Sequence, residues 1–240
     1  MVEIAELMNT HILSSIAAVA GTIAIFQFTW AVQRKLNVIW LQPMLISILA
    51  IIVFLLWQDI SFESYFSHAG LLNALLEPAV VALGFPLYQH LGTIAKQWKS
   101  IILVLMIGAF VAIISSFIIT MLLIGDYSIA VALSLKSVTT PIAITIAEQL
   151  AGNTAITAFT IILAGFFGAI VGPPWLTFIK VTSPKAQGLA IGAASHVIGT
   201  STVSNISYEH AAYSSLALIA SAVITAIVSP FIISFLVTLF

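Results

Sequence analysis

Apolar positions in this chain come in long blocks, and polar residues are confined to short joints between them. Uncharged stretches cover residues 12–32, 41–57, 101–124, 155–179 and 211–240. At about 1.5 Å per helical residue, each can cover a hydrocarbon core of roughly 30 Å. Three further apolar segments are interrupted: residues 70–91 ("GLLNALLEPAVVALGFPLYQHL"), 129–150, and 188–204 ("GLAIGAASHVIGTSTVS"). No run alternates in the ten-residue pattern of an outer-membrane barrel. The pattern predicts an all-α polytopic membrane protein, one domain over residues 1–240 with about six to eight membrane segments, some discontinuous or re-entrant.

Composition agrees. Of 240 residues, 61% are hydrophobic and 6% charged, whereas soluble domains run near a quarter charged. A net charge of −1 gives no reason to expect nucleic acid as a partner. The absence of cysteine removes disulfides, thiol catalysis and thiolate metal sites. The first apolar block follows Glu3 and Glu6 and ends at Arg34-Lys35, which predicts a retained helix rather than a cleaved leader.

Charge at the joints predicts orientation. Arg34-Lys35, Lys96/Lys99 and Lys180/Lys185 form basic joints, while Asp59/Glu63 and Asp126 lie in acidic ones. With the basic joints in the cytoplasm, 12–32 runs inward, 41–57 outward, 70–91 inward and 101–124 outward. A full crossing by 129–150 would strand Lys180 and Lys185 outside, so this segment is expected to dip in and return. The same logic lets 188–204 dip in from the cytoplasmic side. An internal repeat accompanies these breaks. A shift of 60 residues aligns 92–112 with 152–172 at 8 identical positions of 21, and weak internal symmetry with interrupted helices points to a transporter.

Three charged residues stand within apolar segments: Glu77, Lys136 and Glu148. The glutamates can equally snorkel to an interface or pair with the lysine. A lysine at bilayer depth costs a few kcal/mol, which calls for a function or a buried partner. Pro141, lacking an N–H, predicts a helix break at or before Thr140. Backbone groups freed there must face protein or water. Ser137, Thr139 and Thr140 place hydroxyls at the break, and a helix starting near Pro141 brings its positive end beside Lys136. That is an anion site in outline, with a capped proline kink as the bland alternative.

In "GAASHVIGTSTVS" the small residues Gly192, Ser195, Gly199 and Thr200 allow close approach, which helix packing alone also explains. His196 lies among them, as a buried structural histidine or as a substrate or proton ligand. The segment "EPAVVALGFP" adds Asn73, Glu77 and Pro78 near a third break. H-E-x-x-H, Walker A, G-x-S-x-G and paired intramembrane aspartates are all absent. The reading is therefore no enzyme, no metal and no cofactor.

The stretches "PAVVALGFPLY", "KSVTTPIA" and "GLAIGAASHVIGT", with "SSLALI" and "SPF" near the end, closely resemble the LrgB/CidB family of bacterial membrane proteins. The resemblance implies a multi-pass protein of the bacterial cytoplasmic membrane. It implies either holin-like or antiholin-like control of murein hydrolase activity and lysis, or passage of small monocarboxylates of the pyruvate, glycolate or glycerate class. A smaller LrgA/CidA-type membrane protein is the implied partner, and a homo-oligomer is left open. Leu135 stands where a proline commonly precedes the lysine, Ser201-Thr202 where the pattern often carries arginine, and Gln187 where a basic residue is frequent. In the transport reading, Lys136 supplies the charge for a small organic anion, and Ser137, Thr139 and Thr140 supply hydrogen bonds. Ser195, His196, Gly199 and Thr200 form the opposing wall, with Asn73, Glu77, Pro78, Pro141 and Glu148 in support.

The cysteine-free chain makes the orientation testable. Single cysteines replacing Lys35, Lys99 or Lys185 should react with an impermeant maleimide only from the cytoplasmic side, and one replacing Asp126 only from the other. Labelling at positions 99 and 185 from opposite faces would rule out the dip of 129–150.

Overall fold

The computed structural model describes residues 2–36, 42–75, 78, 81–82 and 84–239, and among these it is helical with no strand. The chain divides into two compact units, Met1–Ala82 and Leu83–Phe240.

In the first unit, α1 (Val2–Leu36) contains an apolar stretch, Ser14–Leu36, long enough to cross a membrane. Helix α2 (Pro43–Trp57) opens on a proline in its first turn, where a missing N–H costs nothing. Its 15 residues reach only about 22 Å at about 1.5 Å per residue, short of a hydrocarbon core of roughly 30 Å. The chain then bends by 118° into α3 (Phe62–His68), so the stretch 41–57 does not extend into a straight crossing. Hydroxyls link the helices where lipid offers no partner. Thr29 Oγ1 and Ser47 Oγ lie 2.8 Å apart, and Thr22 Oγ1 and Tyr65 Oη 2.7 Å apart. Helix α4 (Gly70–Ala74) follows.

The second unit starts with α5 (Gly84–Gln89) and the 33-residue α6 (Leu91–Leu123). Two short helices follow, α7 (Tyr127–Ser134) and α8 (Thr140–Gln149). Then come the long α9 (Thr154–Phe178), the bent α10 (Pro184–Ser204) and the 30-residue α11 (Tyr208–Val237). Side-chain caps start several of them: Asp126 accepts from the Ile129 amide, Asn153 from Ile156 and Ser207 from His210. Helices α6 and α11 run parallel. Ile94, Ile101 and Leu105 pack with Tyr213 and Ala217 at one end, and Ile113 and Phe117 share a cluster with Ile232, Ile233 and Leu236 at the other. Outward faces are apolar, with Leu123, Phe167 and Phe231 exposed, as lipid as solvent requires.

Two segments of this unit fold back on themselves. The amide of Asn153, at the start of α9, donates to the carbonyl of Ser128, at the start of α7. Entry and exit of the α7–α8 segment therefore meet, and the apolar stretch 129–150 returns to the end it came from. In α10 the backbone leaves helical geometry at His196 (φ 40°, ψ −134°), separating limbs 184–195 and 197–204. A Cβ on Gly199 would lie 3.2 Å from the carbonyl oxygen of Ile191, although eight residues of straight helix span about 12 Å. Gly188 and Gly192 in the first limb lie against His210 and Ser214, and Thr200 in the second donates to the same Ser214 carbonyl. Both limbs thus flank the start of α11, and α10 enters and leaves at one end.

Helix α9 runs from the Asn153 end to the Lys180 end, so the two hairpins enter from opposite ends of the unit. Lys185 stacks its ammonium 5.7 Å from the Tyr213 ring centroid, at the end where α6 carries Lys96 and Lys99, while Asp126 sits at the other. The internal repeat now has a physical form. Each copy is a long helix followed by a folded-back hairpin, and the second is inverted relative to the first.

Close approach of α10 to α11 rests on glycine. A Cβ at Gly192 would collide with the Ser214 backbone, whereas nothing lies within 4 Å of one at Gly21 in α1. Gly192→Ala should cost about 1–3 kcal/mol by overpacking, read as a lower unfolding midpoint in detergent. Gly21→Ala should leave the midpoint near that of the parent.

Candidate functional site

The tips of the two hairpins meet at the middle of α9. The imidazole of His196, 4% exposed, is flanked by the backbone of Lys136 from the first hairpin and of Ile161 from α9. Two glycines on one face of α9 admit the second tip. A Cβ at Gly165 would sit 2.7 Å from His196 Cε1, and one at Gly168 would strike Ser195 Oγ. The 60-residue shift that aligns the two long helices carries Lys136 onto His196. The two residues hold equivalent places at the two turns.

Lys136 follows the last turn of α7 and precedes the first of α8. Thr139 caps α8 with extended backbone, and Pro141 occupies its first turn without breaking a hydrogen bond. The partly buried ammonium donates to Ser116 Oγ on α6 at 2.7 Å and to the Leu133 carbonyl at 3.5 Å. Ser116 Oγ itself donates to that carbonyl at 3.0 Å. Among the described residues no carboxylate pairs with Lys136. Glu148, one candidate partner, is exposed near the far end of α8. The charge is eased by the negative end of α7 and a neutral hydroxyl, while the positive start of α8 lies on its other side.

Beside the tips lies a cavity of about 440 Å³. Its walls are mostly small: Gly108, Ala109 and Ala112 of α6 face Ala190, Ala193 and Ala194 of α10. Three hydroxyls interrupt them, Ser137 from the first tip and Ser221 and Thr225 from α11. Ala112 and Ser116 are about one turn apart on α6, so Ser116, which holds the Lys136 ammonium, stands about 6 Å along the helix beyond the cavity wall.

The predicted residues distribute as follows. Lys136, Ser137, Thr139, Thr140 and Pro141 share the first turn, and of these Ser137 lines the cavity. Ser195, His196, Gly199 and Thr200 form the second turn but are not among the cavity's lining residues. Ser195 and His196 face α9, Gly199 packs on Ile191, and Thr200 bonds α11. Ser195 Oγ and His196 Nε2 are buried without a hydrogen-bond partner. Glu77 and the side chain of Asn73 lie outside the described residues, while Pro78 is exposed in the first unit.

Sequence reasoning passed over Ser116, Ser221 and Thr225. Isolated hydroxyls in apolar helices usually bond their own backbone, as Ser115 does with the Val111 carbonyl at 2.6 Å. The usable signal was spacing, since Ser214, Ser221, Thr225 and Ser229 recur along one buried stripe of α11.

The LrgB-like family model matches residues 22–235. The chain belongs to the LrgB-like family. Among LrgB-like relatives, the holin-like protein CidB of Staphylococcus epidermidis is 31% identical over 230 residues, 94% of this chain and 98% of that protein. The antiholin-like protein LrgB of Bacillus cereus is 29% identical over 194 residues, 81% and 84% of the two chains. No solved structure matches this LrgB-like chain. An LrgB-like membrane protein with several apolar helices is what the fold and the relatives jointly establish.

The turn at His196 is strained for a residue with a side chain, because φ near +40° crowds Cβ against the backbone. His196→Gly should therefore unfold above His196→Ala by roughly 1 kcal/mol, although both lose the imidazole. Equal midpoints in thermal unfolding would mean that the turn carries no such strain.

Proposed function

We propose that this protein passes small monocarboxylates, of the pyruvate, glycolate or glycerate class, through the bacterial cytoplasmic membrane. An LrgA/CidA-type membrane protein is the proposed partner. The observation that carries this reading is Lys136, a cation at the turn of a folded-back hairpin with no carboxylate among its described partners. Charge placed in a bilayer interior is costly, and a permanent acidic partner would have cancelled it. The anion supplies that partner transiently. The positive start of α8 adds to the attraction, and Ser137, Ser221 and Thr225 offer hydrogen bonds along the cavity. A volume of about 440 Å³ falls within the range of small-molecule sites. Opposed hairpins whose turns meet at mid-helix suit a pathway open first to one side and then to the other.

The relatives' names, holin-like and antiholin-like, favour a second reading, which we take as a regulator of murein hydrolase activity and lysis. Flux separates the two. Proteoliposomes tested with a panel of labelled carboxylates, with and without the partner, should show saturable and substrate-specific uptake. Nonspecific leakage of all solutes would favour the regulator.

Lys136→Gln should abolish carboxylate uptake, at least a hundredfold by rough estimate for loss of a desolvated charge pair, while the protein still inserts and elutes as a single species in detergent. Lys136→Arg should retain part of the activity, because a planar guanidinium does not reproduce a compact ammonium. A Lys136→Gln protein that misfolds and is rescued, with full uptake, by Glu77→Gln would make the lysine scaffolding.

A further inference from the structure

We infer that Ser116 is a positioning residue for the Lys136 ammonium, a neutral stand-in for the carboxylate oxygen that arrives with substrate. The inference rests on the proposed transport reading and adds a residue to its site. A lysine side chain is long and flexible, and besides Ser116 the acceptor it reaches among the described residues is the Leu133 carbonyl near the end of α7, where the helix dipole is negative. Leu133 O already lies 3.5 Å from Nζ. Left to that carbonyl, the ammonium would turn toward the end of its own helix.

Ser116 adds a shorter bond that draws it onto α6 as well. Its hydroxyl gives its proton to Leu133 O at 3.0 Å, which leaves its lone pairs toward Nζ at 2.7 Å. The ammonium is thereby tied to α6, on the stripe that continues from Leu105, Ala109 and Ala112 along the cavity. Among the described residues one hydroxyl and one carbonyl occupy two of its three N–H groups, which leaves the third to a ligand. A hydroxyl orients the charge without neutralising it. An acidic residue at the same place would orient and cancel it together. Ser115, next in the chain, points outward and bonds only its own helix, which makes it an internal control.

The test is the concentration dependence of labelled pyruvate uptake into proteoliposomes, with a detergent unfolding midpoint for each variant. Ser116→Ala should raise KM roughly tenfold with kcat largely kept, and Ser116→Thr, which keeps the hydroxyl, should restore most of the affinity. Ser116→Asp should abolish uptake and pyruvate-dependent thermal stabilisation, because its carboxylate occupies Lys136 permanently. Ser115→Ala should match the parent. Parent uptake together with an unchanged KM in Ser116→Ala, or full uptake by Ser116→Asp, would overturn the positioning role and leave the transport reading standing. A parent protein with no saturable uptake of any monocarboxylate would overturn both.

Discussion

Lipid cannot satisfy a free backbone amide or carbonyl, and the second unit depends on that constraint. Its chain abandons helical geometry twice within apolar stretches, at residues 135–139 and at His196. Each turn must therefore be enclosed by protein. The second turn is closed by its neighbours: His196 lies on α9 near Ile161 and Gly165, and the backbone of Lys136 flanks it. Glycines 165 and 168 are where this closure is decided, because any side chain there would hold the second turn off the helix. Small residues at a membrane helix interface usually serve helix pairing alone. Here the same device lets a turn, rather than a helix, reach the centre of the unit.

Enclosure also determines what a charge can do. Lys136 sits after the negative end of one short helix and before the positive end of another. Hairpins made of two half-length helices bring such ends to mid-membrane, which a continuous crossing never does. The first end lowers the cost of carrying the cation. The second prevents the site from being neutral overall. That balance separates a lysine tolerated for structure, which would be matched by carboxylate, from one with no carboxylate among its described partners.

Much of this was legible in the sequence, and the remainder was hidden for physical reasons. The basic joints placed both folded-back segments correctly, because Lys180 and Lys185 cannot share an end with Lys96 and Lys99 if 129–150 crosses. Proline was a weaker guide than it looked. Pro141 marks a break, yet Pro173, Pro174 and Pro230 lie inside continuous helices, where neighbouring groups absorb the lost hydrogen bond. Conversely, the second turn falls on a histidine with no proline or glycine at the position itself, since tertiary packing on α9 imposes it. Ser116 was invisible because its partner is twenty residues away in sequence, and nothing local distinguishes it from Ser115. The bend after 41–57 was not legible, because hydropathy reports apolarity and not direction; α2 ends after 15 residues and the pair α2–α3 is bent by 118°.

The inverted repeat bears on why the two turns differ. If the copies descend from one hairpin, symmetry alone would place the same residue at both tips. The chain instead has lysine at one and histidine at the other, at positions the repeat makes equivalent. Two lysines meeting at mid-membrane would repel with no water to screen them, and only a dianion would balance both. With histidine at the second turn, Lys136 is the one fixed cation at the two tips, which under the proposed transport reading suits a single negative charge. The relatives' names describe holin-like and antiholin-like proteins, and a nonspecific lesion has no need of such asymmetry. Under the proposed transport reading a site for a monoanion does, because selectivity there would come from matching one charge and excluding two.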